Sequence, residues 1–97
     1  MSRAKIERKL RNLSQELSTL RNELRVIDEQ LQYVVGEADD ARLRSLVSET
    51  PLAAQEHREA AKTVNGVRKD REARVKRMAK LEERQDALLD ELGRVGS

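Results

Sequence analysis

From Ile6 onward the apolar residues fall at Leu10, Leu13, Leu17, Leu20, Leu24, Ile27, Leu31 and Val34, in alternating steps of four and three without a miss. A stripe of that period follows one side of an α-helix and needs a matching stripe to cover it, so this stretch predicts one arm of a coiled coil. With heptad position a at Leu10, Leu17, Leu24 and Leu31, position d falls at Ile6, Leu13, Leu20, Ile27 and Val34. Further along, a second and poorer seam keeps one phase: a at His57, Val64, Arg71, Met78, Gln85 and Leu92, d at Ala53, Ala60, Val67, Arg74, Leu81, Leu88 and Val95. Asn65 and Gly66 interrupt it only at outer b and c positions, where a glycine costs about 1 kcal/mol relative to alanine and does not have to end a helix.

Between the seams, Gly36 can end the first arm in a left-handed conformation. Asp39 or Asp40 can then cap a short helix whose Leu43, Leu46 and Val47 share a face. Thr50 followed by Pro51 is a helix start, a capping hydroxyl before a proline at the first helical position. The reading is a single helical hairpin over residues 1–97: a first arm at 3–35, a kink, short helix and turn at 36–50, and a second arm at 51–93, closed by Gly93 and Gly96.

Composition agrees with narrow seams rather than a thick core. Charged residues make up 39% of the chain, and there is one Tyr with no Phe or Trp, so burial rests on Leu, Ile, Val, Met and Ala. The fold class expected is all-α, a long antiparallel two-helix coiled-coil hairpin. A two-helix hairpin buries little surface, so self-association into a four-helix arrangement is also expected. Cysteine is absent, which excludes disulfides and thiolate chemistry. The first residues are charged where a signal peptide needs an apolar run, and no stretch approaches the roughly 18 apolar residues of a membrane span. A cytoplasmic protein with no membrane contact is the expectation.

Short connections favour antiparallel neighbours, and flanking charges select the register. If facing residue numbers sum to 91, Lys9 meets Arg84, Glu7 meets Glu82, Arg21 meets Arg68 and Glu23 meets Asp70, all repulsive. A sum of 98 pairs Leu10 with Leu88, Leu17 with Leu81, Leu20 with Met78, Leu31 with Val67 and Val34 with Val64, and centres the turn on Glu49. Its flanks bring Glu16 to Arg84, Glu23 to Arg77 and Asp28 to Arg68. In this register Arg71 and Arg74 sit inside the seam opposite Ile27 and Leu24, where each can lay its stem over leucine and reach Glu23 or Asp28 at the edge. Such a polar layer gives up stability and discriminates against slipped pairings.

Little chemistry is available. His57 is the lone histidine, its neighbour Glu56 points elsewhere on a helix, and no glycine-rich phosphate loop is present. The expectation is a non-enzyme with no cofactor, no metal site and no small-molecule substrate. The acidic group Glu37, Asp39 and Asp40 is similar in architecture only to the tip carboxylates of Gre-type transcript-cleavage factors; helix capping accounts for Asp39 and Asp40, and they fall short of the apex at residues 49–51.

"MSRAKIERKLRNL" at the start, "ADDARLRSLVSETPLA" at 38–53 and "HREA" at 57–60 resemble a group of short actinobacterial coiled-coil proteins over nearly the whole chain. The resemblance implies a hairpin and no activity, and it draws attention to the segment around residues 36–53. Two kinds of partner follow from the residues themselves. Tyr33, Val35, Leu43, Leu46, Val47, Val75 and Leu89 lie off the main seam and are candidates for a protein–protein or self-association surface. Lys62, Lys69 and Lys76 repeat at seven on outer f positions, with Arg58 and Lys80 nearby, and form a basic ridge that could meet nucleic-acid phosphates or the transcription machinery.

Overall fold

A computed structural model describes residues 1–96, which form two long helices: α1, Arg3–Ser48, and α2, Pro51–Gly96. Only Glu49 and Thr50 lie between them, and the chain is an all-α antiparallel helical hairpin. Both helices open on a side-chain cap. Ser2 Oγ accepts from the Lys5 amide at 3.3 Å, and Thr50 Oγ1 accepts from the Ala53 amide at 3.1 Å, each occupying a donor that the first turn leaves without an intrahelical partner. Glu49 closes α1 in the left-handed region, with φ of 49°, so the reversal is made by a residue that carries a Cβ.

The expected break at Gly36 does not occur. α1 continues through it, no described glycine has positive φ, and the segment expected to be a separate short helix is the last part of α1. The heptad phase explains this, because Ala38, Ala41 and Ser45 continue the a and d positions beyond Val34, and all three turn inward. Gly36 sits at f, facing water, where its conformational cost of about 1 kcal/mol is offset by burial on both sides. Asp39 and Asp40 are therefore exposed residues of a helix interior, not caps. α2 likewise passes Asn65 and Gly66 unbroken, as its phase required, but runs on through Gly93 to Gly96 instead of closing at 93.

Packing divides the chain into two compact units. The first joins residues 1–24 to 73–96. Its core is one cluster of Ile6, Leu13, Leu17, Leu20, Leu81 and Leu88, with Leu10, Met78 and Leu92 packed against it, so the facing sets expected for a sum of 98 lie together. The second unit, Arg25–Glu72, buries Ile27, Ala41, Ala53, Val64 and Val67. Most of its seam beyond Val34 is small: Ala38, Ala41 and Ser45 on α1, Ala53 and Ala60 on α2. His57 shares that seam, and its Nδ1 is shielded from water without a hydrogen-bond partner.

The flanking ion pairs are shifted from those expected. Glu23 takes Arg74 at 3.0 Å and Asp28 takes Arg71 at 2.6 Å, in place of Arg77 and Arg68. Glu16 takes Arg77 at 2.8 Å in place of Arg84. The reason is proximity: the two seam arginines emerge nearest the acidic edge residues and claim them, leaving Arg77 to Glu16. The half-buried stems of Arg71 and Arg74 with edge carboxylates as partners are the arrangement read from the seam itself.

Candidate docking surface at the hairpin tip

The turn-bearing unit inverts the usual polarity of a coiled coil. Where the seam narrows to alanine and serine, the outward b, c and f positions carry large apolar side chains: Leu43 is 53% exposed, Leu46 62%, Val47 85% and, one turn into α2, Leu52 65%. Small seam residues let two backbones approach closely, but they withdraw little area from water, so the apolar surface of this segment has moved to its outside. The same outward side of α1 carries Tyr33, 69% exposed, and Gly36, which has nothing within 4 Å of where a Cβ would stand.

Of the residues singled out by sequence, Leu43, Leu46 and Val47 are brought together in the last two turns of α1, with Tyr33 on the same side of that helix. Val35 does not belong to this surface. It is half-buried at an e position and lines a small groove with Ala38, Ala61 and Val64. Val75 and Leu89 are exposed on α2 in the unit that holds the chain ends, and the structure does not gather them with the tip residues. Leu52 was missed; the signal was an apolar residue at an outward position just after the Thr50 cap, easily mistaken for the start of the seam.

Charge near the tip is mixed. Glu37, Asp39 and Asp40 lie exposed on α1, and Arg44 approaches Glu56 only at 4.0 Å while its side chain remains 57% exposed. Of the basic residues singled out, Arg58, Lys62 and Lys69 are exposed in the turn-bearing unit, and Lys76 and Lys80 are exposed in the other. Lys80 lines a groove of about 390 Å3 with Lys9, Asn12, Leu13, Glu16, Arg77, Leu81 and Arg84. That groove holds four cations against one carboxylate, and Glu16 is already bonded to Arg77.

Among the described residues no group of three or more His, Asp or Glu side chains is placed to hold a metal ion, and no helix is long and apolar enough to cross a membrane. No family model matches the chain, and comparison with curated proteins and with solved structures finds no similar one.

Proposed function

We propose that this protein is a non-enzymatic coiled-coil interaction module, a helical hairpin that docks on another protein or on its own kind through the apolar outer face near its turn. One observation carries the reading: the seam of the turn-bearing unit is built from small residues while Leu43, Leu46, Val47 and Leu52 face water. Leaving the uncovered part of these four side chains in water forgoes roughly 1 to 2 kcal/mol each relative to burying it. A surface covered by a partner recovers that energy. The test is affinity capture from the cells that express the protein, comparing wild type with Leu46→Glu and Leu52→Glu. Neither substitution touches the core, so both variants should stay helical, and loss of a specific partner in both supports the reading. Identical captures from all three would sink it.

A second reading keeps the basic residues. The groove between Lys9, Arg77, Lys80 and Arg84 favours an anionic partner such as nucleic acid or a component of the transcription machinery, and Arg58, Lys62, Lys69 and Lys76 are further exposed cations of α2. It predicts micromolar duplex binding at low salt that falls steeply as ionic strength rises. No binding at low salt would remove it.

A further inference from the structure

We infer that the outer face of α1 near the turn is a homodimer interface, in which two copies cross antiparallel about a two-fold axis between residues 41 and 42. The inference deepens the docking function proposed above by naming the partner. Three observations lead to it.

Area is the first. Tyr33, Leu43, Leu46 and Val47 each leave half or more of their surface in water. At roughly 100 to 150 Å2 apiece, two copies together could withdraw about 1,000 Å2, the least that a specific interface buries.

Gly36 is the second. It stands mid-helix with ordinary helical φ and open space around it, so nothing within one chain calls for a glycine there. A second helix crossing closely would call for one. When facing numbers sum to 83, Val47 of each copy lies over Gly36 of the other, a large side chain set into a notch. Tyr33 then lies at the turn end of the other copy's α1.

Charge selects that register. Arg44, held no closer than 4.0 Å to Glu56 within its own chain, comes within reach of Glu37 and Asp40 of the second copy, twice over by symmetry. One heptad either way loses this. A sum of 76 sets Glu37 against Asp39, and a sum of 90 brings the two Arg44 side chains together. The arrangement is isologous and closed, so it stops at two copies.

The test is sedimentation equilibrium of the full chain across a wide concentration range. Wild type should move from the chain mass to twice that mass as concentration rises. Val47→Glu should weaken the dimer about tenfold or more with helicity unchanged. Gly36→Leu is the sharper variant: in the isolated hairpin its Cβ meets no atom within 4 Å at this exposed position and it improves helix propensity, so the monomer should melt no lower while dimerisation falls about tenfold or more. Arg44→Glu should also weaken the dimer, and adding Glu37→Arg with Asp40→Arg in the same chain should restore it. A chain monomeric at every concentration, an assembly larger than two, or a dimer indifferent to Val47→Glu and Gly36→Leu overturns the inference. The broader docking reading falls only if the Leu46→Glu and Leu52→Glu captures also match wild type.

Discussion

Single residues at the turn set the connection between the helices. Glu49 adopts φ of 49° with a Cβ present, a conformation that costs an L-residue roughly 1 kcal/mol and a glycine almost nothing. Glu49→Gly should therefore stabilise the hairpin by about 0.5 to 1 kcal/mol in urea unfolding. One position later the effect has the opposite sign. Thr50→Ala deletes the hydroxyl that holds the Ala53 amide and should cost about 1 kcal/mol. His57 is a third case, because its shielded Nδ1 lacks a partner and an apolar side chain of similar size has no such atom to satisfy. His57→Leu should raise the unfolding free energy by about 1 kcal/mol, and an unchanged or lower value would show that the imidazole contributes packing that leucine cannot replace.

At the scale of helices, burial separates positions that look alike in composition. Leu17, 1% exposed in the core cluster, should cost about 2 to 5 kcal/mol when changed to alanine, while Leu46→Ala should fall within about 0.5 kcal/mol of wild type. Glu23→Lys should weaken the fold modestly, and Arg74→Glu in the same chain should recover most of the loss, since these two residues share the 3.0 Å bond. What was legible in the sequence follows from the same physics. The leucine seam of α1, the phase of α2 through Gly66 and the Thr50–Pro51 start rest on strong local periodicity or on capping chemistry. The segment around Gly36 was misread because glycine is a helix terminator only when the flanking pattern ends. Ala38, Ala41 and Ser45 continue the pattern with residues too small to stand out in a hydropathy count, while Leu43, Leu46 and Val47 dominate the count and face outward. The exact partners of Arg71, Arg74 and Arg77 were beyond reach for a different reason, since long side chains span several registers and the choice among carboxylates is settled in three dimensions.

For the whole molecule, the arginines in the seam exchange stability for uniqueness. Arg71 and Arg74 are half-buried, each bonded to an edge carboxylate on α1, and both would be out of place if the helices slipped by a heptad. Replacing both with leucine should raise thermal stability and at the same time broaden the mass distribution seen by light scattering, because an all-apolar seam accepts more than one register and more than one number of helices. A variant that gains stability and shows no species beyond those of wild type would show that the leucines alone specify the pairing. Tyr33 gives the molecule one more property. It is the only tyrosine in a chain without tryptophan or phenylalanine, and it stands on the outer face of α1, away from both cores. Its ultraviolet absorbance and emission are thus nearly blind to unfolding of the seams, and they form an intrinsic optical reporter that changes when that one face is covered.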